Sequence, residues 1–323
     1  MSNGFKNLFE LRGELEQKQK ITLTILGSVI LVLMWFVFAE VLSKKVISQN
    51  ETIDITSLSE ENKLYYENDS ILVANYDKLE SLSTEELNNY GLVKNKVYPL
   101  LPSPIKVIKA FPELNEKDDV IGNTFFSIKL NVLGYLLAVV IAIPFGFLLG
   151  LIPLFRGLFS KIIDSYRFIP LTAVTGIFIM WLGLGSQMKV AFLAFGIVVY
   201  LIPVVVQRID EVQKVYINTV FTLGATPWQT IRTVYIPYVL SKLIDDIRVL
   251  TAISWTYITI AEMLNKGGGI GELIWTAKRQ SRIDKAFAIL IIIVLIGVLQ
   301  DRLFVMIDKL LFPHKHINKG NKH

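Results

Sequence analysis

Few residues of this sequence have the type and spacing that chemistry needs. The three histidines, His314, His316 and His323, all fall in the last ten residues. A His-x-His pair binds a metal weakly on its own, and nothing near it supplies further ligands, so a solvated tail is expected and no metal site. The absence of cysteine excludes disulfides, thiolate catalysis and Cys-type zinc sites. The run Gly267-Gly-Gly-Ile-Gly271 invites a phosphate cradle, but the phosphate-binding pattern Gly-x-x-x-x-Gly-Lys-Ser/Thr occurs nowhere in the chain. A flexible connecting loop is expected there instead. Glu262 lies near the end of an apolar stretch, where a carboxylate is either a functional group or one solvated at a membrane interface. Thr172, Thr175, Trp255, Tyr257 and Thr259 lie inside apolar stretches, where they line a solute path or pack helices through their hydroxyls. No nucleophile or acid–base pair is found.

The segment with the most local information is Tyr216–Pro237, Tyr-Ile-Asn-Thr-Val-Phe-Thr-Leu-Gly-Ala-Thr-Pro-Trp-Gln-Thr-Ile-Arg-Thr-Val-Tyr-Ile-Pro. Residues 207–223 are expected to run as helix, and Gly224 suits the left-handed position that ends one. Thr226 then has the character of an N-cap, with Pro227 at the first helical position and Gln229 three residues after the cap. This is a helix stop followed at once by a capping-box start. The new helix is expected to be short, because Pro237 should break it. Trp228, Ile231 and Tyr235 fall on one face, and Gln229, Thr230, Arg232 and Thr233 on the other. Such a helix can lie on a membrane surface or fill a groove on a partner.

The elements around this segment are set by hydropathy. Of the 323 residues 52% are hydrophobic and 19% charged, and mean hydropathy is +0.49. A soluble chain carries nearer a quarter charged residues. The apolar residues gather in runs such as Ile21–Ala39 and Val190–Val206, and about 20 apolar residues suffice to cross a bilayer as helix. Six spans are expected, near 21–41, 124–152, 168–184, 188–206, 241–264 and 286–307. The first is a retained span, since no small-x-small cleavage site follows it. Span two holds Pro144 and the pair Gly146-x-x-x-Gly150, a spacing that lets helices approach closely. The net charge of +5 reports membrane orientation here, not nucleic-acid binding.

The expected domains are a cytoplasmic segment 1–20, the first span 21–41, an acidic extracytoplasmic insert 42–122, a transmembrane domain 123–312 and a basic tail 313–323. The insert ends in Tyr98-Pro-Leu-Leu-Pro-Ser-Pro104, whose prolines hold the backbone extended. Lysines and arginines in 1–20, 153–167, 207–240 and the tail place both termini inside. One segment disagrees: 265–285 falls outside yet carries Lys266, Lys278, Arg279, Arg282 and Lys285. A five-span reading would move it inside, but the run near 286–307 is long and apolar, so six are kept.

With the residues laid out, a family resemblance emerges. Gly224 followed thirteen residues later by Pro237, with Val234-x-Ile236 before it, resembles the "EAA" loop of binding-protein-dependent ABC transporter permeases. The stretch Thr222-Leu-Gly-Ala-Thr-Pro-Trp-Gln229 is similar to the version in the nitrate/sulfonate/taurine/bicarbonate branch. So are Leu101-Pro-Ser-Pro104, Arg167-Phe-Ile-Pro170, Trp181-Leu-Gly-Leu-Gly185 and Ala261-Glu-Met-Leu264 before the glycine loop. The resemblance covers about residues 98–312. It departs at Asn218-Thr219-Val220, where the family has Glu-Ala-Ala, and in the length of the 42–122 insert.

The resemblance implies an all-α integral membrane protein of the type I ABC importer permease kind, multi-pass in a bacterial inner membrane. It implies docking of a separate ATPase subunit at Thr222, Gly224, Ala225, Thr226, Pro227, Trp228, Gln229, Arg232 and Pro237. ATP and Mg would be held by that subunit and no cofactor by this chain. An extracytoplasmic solute-binding protein and a permease homodimer complete the implied assembly, with a small anion such as nitrate, sulfonate, taurine or bicarbonate as cargo. Two other classes stay open. An ion-coupled secondary transporter needs charges deep in its spans, which are nearly absent. A membrane sensor using 42–122 as ligand domain needs an output domain, and the tail after Pro313 is short.

Overall fold

The computed structural model describes residues 17–49, 92–98, 100–265 and 267–313. The expectations for 1–16, most of the acidic insert, Lys266 and the three histidines lie outside the described residues. The chain divides into two units, 1–109 and 110–323.

In the first unit, helix α1 (Gln17–Val41) is apolar around its circumference, with Leu31 68% and Val37 58% exposed. A helix with no polar face has lipid as its natural solvent. Its 25 residues extend about 37 Å, enough for a hydrocarbon core of about 30 Å. Strands β1 (Lys44–Gln49) and β2 (Leu92–Val97) follow as an antiparallel pair, Lys44 opposite Val97. Trp35 Nε1 donates to Pro102 O at 3.0 Å, and Lys96 pairs with Glu40, so the end of the insert is tied back to α1. Helix α2 (Pro104–Lys117) starts at Pro104, whose fixed φ and missing N–H are tolerated in the first turn.

The second unit is a helical bundle. Its long elements are α3 (Val120–Leu151), α6 (Ser186–Asp210), α9 (Ile236–Leu264) and α11 (Ile283–Leu311). Between them lie α4 (Pro153–Tyr166), α5 (Leu171–Leu182), α7 (Lys214–Thr222), α8 (Pro227–Thr230) and α10 (Ile270–Arg279). Helix α6 is central, packing along both α3 and α9. Gly146 and Gly150 form the α3 face of that contact: a Cβ on Gly146 would collide with Val205, and one on Gly150 would stand 2.5 Å from Ile209 Cδ1. The small-residue spacing thus does what the sequence implied.

Two expectations need correction. The third expected span, 168–184, is the 12-residue helix α5, about 18 Å long and too short to cross alone. It forms a bent pair with α4 at 104°, in a stretch expected as a polar connection. Pro170 sets the bend, since it is extended (ψ 123°) and disfavours helix at Ile169 before it. Counting this pair as one span gives six membrane-crossing elements, and otherwise five. Nor does Pro237 end the helix that starts at Pro227, because the helical path runs on to Leu264 for 38 residues. A π turn at Ile231–Tyr235 precedes the proline, and Ile236 N–H bonds to Ile231 O, five residues back. The wider turn changes the register at the point where a proline in an α-helix would meet the carbonyl four residues earlier.

Ion pairs tie the helices to one another. Arg208 grips Asp246 through two contacts of 2.7 Å and Glu211 at 2.7 and 2.8 Å, joining α6 to α9. Arg156 pairs with Asp210 and Arg248 with Asp301. Arg282 donates to Glu113 at 2.7 and 3.1 Å and to Asp284 at 2.9 and 3.0 Å, while Lys285 reaches Asp118 at 2.7 Å. Two of the basic residues that conflicted with the charge rule are therefore committed to acidic partners, which gives them a packing cause.

Candidate functional site

The loop from α6 to α9 forms the first candidate site. Helix α6 ends at Asp210, earlier than the expected continuous helix 207–223, and α7 begins at Lys214. Glu211 fixes the break. Its carboxylate takes Arg208 and, at 3.2 Å, Lys242, while its carbonyl accepts the Tyr238 hydroxyl at 3.0 Å. The Arg208 guanidinium, opposed by burial and helped by Lys242, holds the Glu211 carboxyl below its ordinary range.

Helix α7 stops as the sequence requires. Gly224 has φ +78°, its N–H bonds to Phe221 O at 2.9 Å, and Ala225 N–H bonds to Val220 O at 3.0 Å. This Schellman pair satisfies carbonyls that the helix end would leave open. The next helix starts at once, with Gln229 N–H donating to Thr226 Oγ1 at 3.3 Å and Thr226 N–H donating to Gln229 Oε1 at 2.7 Å. The capping box is complete.

The faces differ from expectation. Thr230, placed on the polar side by helical periodicity, is buried, and its hydroxyl bonds to Thr226 O at 3.1 Å. Trp228, among the positions where the resemblance implies ATPase docking, is 67% exposed, and Leu223 is 81% exposed. Val215, Tyr216 and Phe221 add to the same exposed apolar set. Thr222, Gln229, Arg232 and Pro237 are exposed, and Ala225 is half-buried. Asn218, standing where a glutamate was expected, is exposed as well.

The residues singled out for a solute path do not gather in one place. Thr175 is buried, and its hydroxyl bonds back to Leu171 O at 3.3 Å; Thr259 bonds to Trp255 O at 2.7 Å. Both hydroxyls serve their own helices. Thr172 is exposed on α5, and the Tyr257 ring lies against Gly196 of α6. Trp255 does line a cavity, between α3, α9 and α11, and donates to Gln300 Oε1 at 2.8 Å. Sequence reasoning missed Asn131 in the same cavity, although an amide inside the α3 apolar run was its signal.

Glu262 is 0% exposed, which removes the reading of a solvated interface carboxylate. It accepts from Ser127 Oγ at 2.6 Å and from Gly271 N–H at 2.8 Å. Around it the glycine loop is pinned, contrary to the expected flexibility. Gly269 N–H donates to Asn123 Oδ1 at 2.7 Å and Ile270 N–H to Ser127 Oγ at 2.8 Å. Gly267 and Gly268 N–H groups share Glu272 Oε2 at 2.9 and 2.6 Å, and Lys189 Nζ donates to Gly268 O at 2.9 Å. Each loop N–H from Gly267 to Gly271 is thus committed within the protein. Among the described residues no group of three or more His, Cys, Asp or Glu could hold a metal ion.

A bundle of long apolar helices, with a capped helical elbow between two of them, defines a multi-pass membrane protein. The family model of the binding-protein-dependent transport system inner membrane component matches residues 134–312. The chain belongs to this family, and it is a permease of an ABC importer. It is 33% identical over 211 residues to a putative ABC transporter permease of Methanocaldococcus jannaschii, covering 64% of this chain and 78% of that one. It is 26% identical over 224 residues to a putative aliphatic sulfonates transport permease of Bacillus subtilis, covering 68% and 80%. The taurine transport system permease of Escherichia coli is 26% identical over 175 residues, covering 54% and 64%. Among solved structures, a chain of the MetNI methionine ABC transporter in an inward-facing conformation aligns with TM-score 0.54 and 19% identity. It covers 59% of this chain and 94% of that one, a likeness of fold.

Proposed function

We propose that residues 214–237 dock a separate ATPase subunit and carry its movement into the bundle. The observation that bears this reading is the exposure of Trp228 and Leu223 on an element that is rigid at both ends. The Schellman pair and the capping box lock the elbow internally. At its base, Arg208, Glu211, Asp246 and Lys242 tie α6 to α9. A push on the elbow therefore reaches both helices together. Large exposed apolar side chains on a soluble-facing helix are expensive unless a partner covers them.

In this reading the elbow faces the cytoplasm, as do both termini, and the membrane is the bacterial inner membrane. Two copies of the chain enclose the solute pathway, and an extracytoplasmic binding protein delivers the solute. ATP and Mg bind on the partner, whose closure shifts the permease between inward- and outward-open states through its differential affinity for them. The chain itself has a conformational task, with no catalytic group. The relatives for sulfonate and taurine support a small oxyanion as cargo. A charge-coupled carrier is disfavoured by the commitment of Glu262 and Lys189 to the glycine loop. Co-purification of the ATPase subunit with wild type and with a chain lacking Ala225–Gln229 tests the docking. Retention by the deleted chain, with transport intact, would overturn it.

A further inference from the structure

Helix α11 is held by ion pairs near both ends, Lys285 with Asp118 and Asp301 with Arg248. The uncharged stretch Ala286–Gln300 between them is about 22 Å of helix, most of a hydrocarbon core of about 30 Å. Asp301 and Arg302 therefore sit near headgroup depth, on the side of the elbow, since Arg248 belongs to the elbow half of α9. Arg302 is exposed. Asp301 beside it is taken by Arg248, and no described residue forms an ion pair with Arg302. A guanidinium at the edge of the hydrocarbon, with no acidic side chain to meet, is suited to a lipid phosphate, whose oxygens match its forked donors.

Arg302 also lines the cavity between α3, α9 and α11, which has a volume of about 510 Å³. Val132, Ile296, Leu299, Leu303 and Met306 give it hydrocarbon walls, Trp255 lines it from α9, and no carboxylate is among the lining residues. Leu299 is 71% and Met306 54% exposed, so the cavity opens beside the apolar outer face of α11. Asn131 takes no part, because its unpaired Nδ2 is sealed off. An apolar space open to a bilayer takes up hydrocarbon: water finds too few polar partners there, and an unfilled gap forfeits the contacts of its lining.

We propose that this cavity is a binding site for an anionic phospholipid of the leaflet on the elbow's side. Its phosphate rests on Arg302, and one acyl chain runs along Leu299 and Ile296 toward Trp255. The site stands independently of the docking reading and of the cargo. One uncompensated positive charge selects an anionic head over a zwitterionic one, whose own ammonium competes for the phosphate. The hydrocarbon walls select a chain. A chain lodged there braces α11 against α9, the helix that continues from the elbow.

The test uses the full chain in phosphatidylcholine vesicles, with phospholipids brominated along one chain as quenchers of tryptophan fluorescence. The chain has five tryptophans, so Trp255→Phe identifies the share of the emission that comes from the cavity. Brominated phosphatidylglycerol should quench that share saturably, at a mole fraction at least about fivefold lower than brominated phosphatidylcholine, the preference that one cation near a membrane surface gives. Arg302→Gln should remove the preference and Arg302→Lys should keep it. Lys309→Gln, at another exposed cation of α11, should leave it unchanged. Val132→Phe, which fills the cavity from the α3 side, should abolish saturable quenching by both lipids. Arg302 and Val132 are exposed, so neither substitution disturbs buried packing. Equal quenching by the two lipids, or an unchanged preference in Arg302→Gln, overturns the proposal. So does an equal loss in Lys309→Gln, which would assign the effect to the net positive charge of the chain. Saturable quenching that survives in Val132→Phe would put the acyl chain elsewhere and overturn it as well.

Discussion

Thr226 and Gln229 exchange two hydrogen bonds, 2.7 Å from the Thr226 N–H to Gln229 Oε1 and 3.3 Å from the Gln229 N–H to Thr226 Oγ1. Through this exchange the helical path that runs from Pro227 to Leu264 has a fixed starting direction. The elbow can transmit force only if that direction holds.

Thr226→Ala should therefore loosen the elbow by about 1 kcal/mol, the usual loss for a helix N-cap. Faster amide hydrogen exchange at 227–230 is expected, with reduced ATPase co-purification, while Thr226→Ser retains both. Unchanged exchange in the alanine variant would show that the cap does not hold the element.

Gly224 provides a purely backbone test. Its φ is +78° and no atom lies within 4 Å of the place a Cβ would occupy, so the cost of a side chain there is conformational. Gly224→Ala should cost about 1–2 kcal/mol locally, and Gly224→Asn less, because asparagine tolerates the left-handed region. Docking affinity for the ATPase subunit should fall in that order.

Glu262 joins α9 to Ser127 of α3 and to the start of α10. Glu262→Ala leaves the Gly271 N–H without its acceptor and should destabilise the chain by about 1–3 kcal/mol. Glu262→Gln should be milder, since its carbonyl can serve Gly271 while the Ser127 hydroxyl accepts from its amide. Thermal denaturation in detergent gives the order. Equal loss in both variants would mean that the charge itself is required.

The clamp at Glu113 makes stability depend on pH. Hydrogen bonds from Arg282, then Lys285, lower its carboxyl from 4.5 to about 2. A lowered carboxylate contributes stability that is complete above 4.5 and is lost as pH falls toward about 2. The gap in melting temperature between wild type and Glu113→Gln should be constant above that window and should close within it. A gap that persists at the acid end would contradict the assignment.

The sequence displays local chemistry well and tertiary packing poorly. Gly224, Thr226, Pro227 and Gln229 could be read because each acts on neighbours within five residues. The long apolar helices could be read because lipid imposes a length. Pro237 misled because the π turn before it accommodates a proline that would otherwise stop a helix. Thr230 misled because its burial is set by the bundle and not by its own helical period. The glycine loop was read as flexible because its partners, Asn123, Ser127 and Lys189, lie far away in sequence. The open amide of Asn131 is likewise a product of packing.

The side of the membrane that the elbow faces, and what covers it, decide whether it can couple to a cytoplasmic partner. The chain has no cysteine, so Thr222→Cys introduces a single thiol at an exposed position on the last turn of α7. A membrane-impermeant maleimide should label it in inside-out vesicles and not in intact cells, and the ATPase subunit should block the labelling. Labelling from outside intact cells, or labelling unaffected by the ATPase subunit, would contradict the account.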